Sequence, residues 1–323
     1  MRLDAEIAAR YVRFADLEAH GHSALYEQLA RYVAASGEAH AFLSDLPVER
    51  RQPNLLFAAT CFVCGTPRDA QEFAHFLAAR GREIKAVMLR RTTQTNEPGR
   101  CAALVPALAR IKGPISLIEV GASAGLCLLP DRYGYDWGRK TLLPAAMPGA
   151  RPPVFPCTVS DRTPLPDALP SIVWRAGLDL NPVKLEESED IAWLETLVWP
   201  EDEPRLDRLR AAIAIAKADP PAVEKGDLLH DLSALIERAP RDTTVVVFHT
   251  AVLSYVGSAE ERAAFARQML ASDAVWLSNE SPRVFPEIAA RAAAAPSQGL
   301  FLLSRDGVPV AWTGPHGQSV HWL

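Results

Sequence analysis

The strongest chemical signal in this chain is the run Glu119-Val120-Gly121-Ala122-Ser123-Ala124-Gly125. Glycines at such a turn let backbone N–H groups approach a ligand, and a helix beginning just after it favours an anionic group. Close packing of a strand on a helix also uses glycine, so the turn alone does not define a site. Two carboxylates follow at the ends of later apolar runs: Asp179 in Trp174-Arg175-Ala176-Gly177-Leu178-Asp179, and Asp227 in Val223-Glu224-Lys225-Gly226-Asp227. Each can accept hydrogen bonds from ribose hydroxyls or cap the next helix. His249 in Phe248-His249-Thr250 offers an imidazole that titrates near neutrality, the requirement for a general base. Asn279 and Glu280 end a further apolar run as candidate pocket residues.

A polar segment precedes the glycine turn, with Arg90, Arg91, Gln94, Asn96, Glu97 and Arg100 inside eleven residues. Guanidinium forks suit a carboxylate or phosphate, so Arg91, Gln94, Asn96 and Arg100 are candidate contacts to an anionic substrate. The alternative is a solvated helix start with a Glu97–Arg100 pair. Gly121-Ala122-Ser123-Ala124-Gly125 also fits the G-x-S-x-G elbow of serine hydrolases, with Ser123 as nucleophile and His249 or His316 as base. Against this, no His-Gly-Gly-type oxyanion loop precedes it, and the turn follows the first strand rather than several. Cys61-Phe62-Val63-Cys64 has metal-ligand spacing but lacks a second pair, so no metal is expected.

These residues need a scaffold that brings strand ends together. From Ala5 to about Ile111 apolar residues recur at three- and four-residue spacing, which predicts four to six helices broken near Gly21, Pro47, Gly65 and Gly81. A last helix of this region is expected to start near Thr95-Asn96, with Asn96 as its cap. The pattern then changes to short apolar runs at Ile115–Val120, Ile172–Leu180, Ala222–Lys225, Thr244–Phe248 and Ala274–Ser278, separated by helical stretches. Such alternation predicts parallel strands with helices on both faces. The turns Asp306-Gly307 and Pro315-His316-Gly317 predict antiparallel strands at the end. A proline- and arginine-rich stretch at about 130–170 is expected to be an insertion, and Ala289–Ala295 a helix.

On these motifs the sequence resembles class I S-adenosylmethionine-dependent methyltransferases. That resemblance implies a doubly wound, mostly parallel, seven-stranded Rossmann-like sheet over 112–323, with a helical region over 1–111. It implies S-adenosylmethionine as cofactor, held by Glu119, Gly121, Ala122, Ser123 and Gly125, by Asp179 at the ribose, and by Gly226 and Asp227 near the adenine. His249 then lies where the fourth-strand motif meets the transferable methyl group. The insertion and the lack of an Asn-Pro-Pro-Tyr at the fourth strand depart from that pattern and leave the acceptor open. Over most of its length the chain also resembles an uncharacterised bacterial family, domain of unknown function 2332, through Arg51-Gln52-Pro53-Asn54, Arg91 to Glu97 and Val247-Phe248-His249-Thr250.

The expected activity is methyl transfer to a small acceptor, with non-catalytic ligand binding or serine hydrolysis as alternatives. A net charge of -5 argues against nucleic acid as a partner, since phosphate binding needs clustered cations. Charged residues Asp4, Glu6, Arg10 and Arg13 interrupt the start, and the apolar runs are too short to span a membrane. A cytoplasmic protein with free thiols is expected; the oligomeric state is not legible.

Overall fold

The computed structural model describes residues 2–94, 96–145 and 151–323. Thr95, where a helix start is expected, and residues 146–150 of the insertion lie outside the described residues. The chain forms two compact units, one from residues 1–95 with 187–207, the other from 96–186 with 208–323. Residues 96–111 remain helical at Cys101–Leu108 but fall in the second unit, and a later stretch returns to the first.

The first unit contains α1 (Arg2–Phe14), α2 (Ala24–Ala35), α3 (Gly37–Ser44), α4 (Pro53–Cys64) and α5 (Ala70–Arg90), with a further helix at Ser188–Thr196. Their starts follow from local chemistry. The side chains of Ser23, Ser36 and Asp69 each accept a backbone N–H of the first turn, and Pro53 opens α4 where no N–H is needed. Buried Tyr26, Leu29, Ala30 and Val33 trace one face of α2. Phe57 sits at the centre of an aromatic cluster, with Tyr11, Phe14, Tyr26 and Phe73 rings 5.0–6.0 Å away. Trp193 and Leu197 complete this core. The break expected at Gly81 is only a kink, with Arg80 at φ -122° while α5 continues.

The second unit is built on strands β1 (Ile115–Val120), β2 (Gly134–Asp136), β3 (Thr141–Leu142), β4 (Val154–Pro156), β5 (Thr158–Val159), β6 (Ile172–Asp179), β7 (Ala222–Lys225), β8 (Thr244–Thr250), β9 (Val275–Glu280), β10 (Phe301–Arg305), β11 (Val308–Thr313) and β12 (Ser319–Trp322). The main sheet runs β5-β12-β11-β10-β9-β8-β1-β6-β7. Its β7-β6-β1-β8-β9 part is parallel, whereas β10, β11 and β12 form an antiparallel meander next to β9. The expectation of seven strands is corrected to nine in a mixed sheet. Two causes are visible: the C-terminal hairpins add strands one after another, and the insertion contributes β5, which pairs with β12. Asp306 at φ 49° and Gly307 at φ 71° close the first hairpin, the conformation an Asp-Gly turn supplies.

The insertion also forms a separate three-stranded sheet, β3-β2-β4. It displaces the helix expected after the glycine turn: β1 is followed only by 3-10 turns at Leu126–Leu128 and Pro130–Arg132. The alanine-rich helix shrinks to Pro286–Ala289. On one sheet face Ile118, Val120, Ala176, Leu178, Val247, Trp276 and Leu302 pack with Leu232, Leu235, Phe265, Met269 and Ile288 from the covering helices.

Candidate functional site

The strand order reverses direction at β1: the chain moves from β1 to β6 and β7 on one side, and to β8 and β9 on the other. Ligands in open α/β sheets sit beyond the carboxyl ends at such a point. The glycine turn lies there, but its shape is governed by protein contacts. Gly121 has φ 71°, and a Cβ added to it would lie 2.4 Å from Val252 Cγ2. At Gly125 (φ 73°) the added Cβ would meet Pro221 Cγ at 2.7 Å. These glycines therefore let neighbouring side chains approach, in addition to setting the left-handed turn. Ala122 fits against Gly177, where an added Cβ would come within 2.5 Å of its methyl. Ser123 is itself left-handed at φ 53°, and its Oγ is buried with no hydrogen-bond partner among the described residues.

Asp179 supports this turn directly. Its Oδ2 accepts the Ser123 N–H at 2.8 Å and its Oδ1 accepts the Asn181 N–H at 2.8 Å. Asp227 behaves similarly at the end of β7, with Oδ1 accepting the Leu229 N–H at 2.8 Å. Gly226 is close-packed, since a Cβ there would lie 2.6 Å from Leu178 Cδ1. Both acids thus satisfy backbone donors two residues ahead, the local role open to Asp in turns. Glu119, next to last in β1, is 2% exposed, and its Oε2 has no partner among the described residues. Burial pushes its carboxyl well above the ordinary glutamate value; Cys127 adds to this, the Arg100 charge opposes it, and Asp179 adds a little more.

His249 lies wholly inside the unit. Its Nδ1 is 2.8 Å from Glu280 Oε1, and the Trp276 indole N–H donates to its Nε2 at 3.0 Å. An indole nitrogen only donates, so Nε2 must accept and the ring proton sits on Nδ1, facing the carboxylate. Rings of Phe265 and Trp276 flank the imidazole at 5.5 and 6.0 Å. Both nitrogens are committed, and the imidazole has no free lone pair with which to accept a substrate proton. Glu280 Oε1 also accepts the N–H groups of Val252 and Leu253 at 2.9 and 3.1 Å. That carboxylate thereby holds the segment that fills the space over Gly121.

The arginine-containing segment is divided between the two units. Arg91 lies in the helical unit, where Asp190 and Glu189 receive its guanidinium at 2.5 and 3.2 Å, so its charge is compensated internally. Gln94 belongs to the same unit, is half-buried and is engaged within the protein. Asn96 is not a helix cap: Nδ2 donates to the Ala122 carbonyl at 3.1 Å and Oδ1 accepts the Leu126 N–H at 2.7 Å, bracing both sides of the glycine turn. Glu97 instead caps the 3-10 turn Pro98–Arg100, its Oε1 accepting the Gly99 N–H at 2.9 Å. Arg100 is buried and donates to the carbonyls of Pro315 and Thr250 at 2.9 and 3.1 Å. Asn279 is fully buried between Thr250 and Thr313, at 3.2 and 2.7 Å.

The structure therefore gathers Glu119, Gly121, Ala122, Ser123, Gly125, Asp179, Asn96 and Arg100 about the end of β1, while His249, Asn279 and Glu280 are structural ties at the ends of β8 and β9. Sequence reasoning missed Val252 and Thr313, which no motif marks, and quoted Thr250 only as part of the His249 motif without a role. No described helix is long and apolar enough to cross a membrane.

Fold and site define a mixed α/β protein whose nine-stranded main sheet has a parallel half. The chain belongs to a family described as an uncharacterized protein conserved in bacteria, DUF2332, whose model matches residues 8–322. No curated protein and no solved structure matches it.

Proposed function

We propose that the protein binds S-adenosylmethionine beyond the carboxyl ends of β1, β6 and β7 and transfers its methyl group to a small acceptor. The observation that carries this reading is the parallel order β7-β6-β1-β8-β9, with the Gly121–Gly125 turn at the reversal and an acid at the end of each of the first three strands. The buried, unpartnered Glu119 Oε2 and Ser123 Oγ beside that turn support it, since buried polar atoms normally have partners. Asp179 ends β6 and Asp227 lies just past β7, where carboxylates can accept hydrogen bonds from ribose hydroxyls. A sulfonium supplies the electrophilic methyl group, and the chain's part is to bind, orient and exclude water. No general base at His249 enters this reading.

The second reading is ligand binding without transfer, favoured by the side chains of Val252 and Pro221 that crowd the glycine positions. Serine hydrolysis finds no such support, because Ser123 Oγ has no base within hydrogen-bond reach among the described residues.

Titration calorimetry with S-adenosylmethionine and S-adenosylhomocysteine tests the proposal. Saturable binding, weakened about tenfold or more (about 1.4 kcal/mol) in Asp179→Asn, is the expected result. Failure of both ligands to bind or to raise the melting temperature at millimolar concentration overturns it. Binding without turnover of a panel of small acceptors favours the second reading.

A further inference from the structure

Just past the carboxyl end of β8, Ala251 is held in a conformation that its side chain disfavours. Its φ is 59°, in the left-handed region, where the Cβ of an L-residue crowds the following carbonyl oxygen. Such residues persist only where surrounding contacts hold them, and they cluster at ligand clamps and switches. The contacts here are identifiable. The Ala251 N–H donates to the Asn279 carbonyl at 3.2 Å, and the Val252 N–H donates to Glu280 Oε1 at 2.9 Å. Val252 is thereby set on Gly121, with its Cβ and both methyl carbons at 3.0 Å or less from the point where a Gly121 side chain would begin. Beyond it the chain is anchored again, since Leu253 is fully buried in the core and Arg262 donates to the Val256 carbonyl at 2.8 Å. Ala251 and half-buried Val252 are therefore the part of this segment that can change without unpacking the core.

We propose that Ala251 and Val252 form a two-position plug over the glycine turn, closed in the structure described above and opened when a ligand binds. In the closed position Val252 covers the face of Gly121. In the open position Ala251 relaxes to an ordinary backbone region, Val252 swings aside, and its N–H leaves Glu280. Leu253 and His249 stay on the same carboxylate oxygen, so the latch itself is not dismantled. Opening gives up one hydrogen bond to a carboxylate and releases the strain at Ala251, two terms of similar size and opposite sign. Two positions close in energy are the condition under which a ligand can choose between them. The plug rests on the reading that a ligand meets the backbone of the Gly121–Gly125 turn, and it adds a way for the protein itself to regulate that access. Its signature is a pair of opposed effects. Val252→Ala removes the bulk that covers Gly121 and favours the ligand. Ala251→Gly removes the penalty of the closed position, deepens it, and disfavours the ligand. Simple packing gives no reason for neighbouring substitutions to act in opposite directions.

The experiment is titration calorimetry of the full chain and both variants with S-adenosylhomocysteine, together with hydrogen exchange at residues 251–256 in free and saturated wild type. Affinity should rise about tenfold in Val252→Ala and fall about fivefold or more in Ala251→Gly. Exchange at the Val252 amide should quicken on saturation, because its hydrogen bond to Glu280 is broken in the complex. The exchange measurement needs no variant and carries the test if either substitution prevents folding. Affinity unchanged in both variants or shifted the same way in both, or a Val252 amide equally or better protected in the complex, overturns the plug and leaves the cofactor reading standing. Absence of binding by wild type and Val252→Ala alike overturns that reading and the plug with it.

Discussion

Replacing His249 with Phe separates a structural from a catalytic imidazole. A phenyl ring keeps the aromatic contacts to Phe265 and Trp276 but removes both ring nitrogens. The fully buried Trp276 N–H then loses its acceptor, which costs about 1–3 kcal/mol. Glu280 Oε1 loses one donor of three but keeps the Val252 and Leu253 N–H groups. A hydrogen bond to a charged group contributes about 1.5–3 kcal/mol, partly retained through the two that remain. The expected loss is about 2–4 kcal/mol, measured by urea unfolding of the full chain. In a Trp276→Phe background there is no indole donor to orphan, so the same replacement should cost at least about 1 kcal/mol less, a coupling that a double-mutant cycle reads directly. A change below about 0.5 kcal/mol, or equal costs in the two backgrounds, refutes the network. A general base would behave oppositely, losing turnover while stability held.

Glu119→Gln should flatten the pH dependence of stability. Because the folded-state pKa of Glu119 is raised, its contribution is fully present below the ordinary value of 4.5 and is lost as pH rises toward the folded value; the wild type should therefore weaken relative to the Gln variant over that window in unfolding curves from pH 4 to 8. Gly121→Ala should destabilise the chain by more than about 1 kcal/mol in denaturant titrations, since it combines a left-handed residue with a clash against Val252, and Val252→Ala should recover the steric part only. Full recovery in that double variant, or no loss in Gly121→Ala alone, contradicts the packing role of this glycine.

Much of the parallel sheet was legible because β1, β6 and β9 are short apolar runs closed by Gly121, Asp179 and Asn279-Glu280 and β8 carries the apolar run Val245–Phe248, patterns that need no tertiary information. The hairpin at Asp306-Gly307 was legible for the same reason. The strand count was not, since β5 is two residues inside a proline-rich insertion and exists only through its pairing with β12. The helix expected after Gly125 failed because local propensity at Leu126–Leu129 does not reveal that Pro130 and the following small sheet draw the chain away. In the candidate site, the turn and its acids were found by residue type, but their occupancy was not. Whether Asp179 faces a ribose or the Ser123 N–H depends on a contact 56 residues apart in sequence. His249 shows the same limit: its partners Glu280 and Trp276 are on another strand, and nothing near position 249 announces that both ring nitrogens are taken.

The helical unit is discontinuous in sequence, and this bears on how the chain matures during synthesis. Residues 1–95 emerge first, yet their core lacks Trp193 and Leu197 until about one hundred further residues have been made. At 5–20 residues per second that interval is roughly 5–20 s. During it the nascent chain carries an incomplete apolar cluster around Phe57, and Ser23 and Leu25 wait for the Glu201 carboxylate that later receives both at the head of α2. Amino-terminal fragments ending near 111 should accordingly require chaperones or precipitate, and a protease-resistant helical unit should first appear on ribosome-bound chains long enough to have released residue 207.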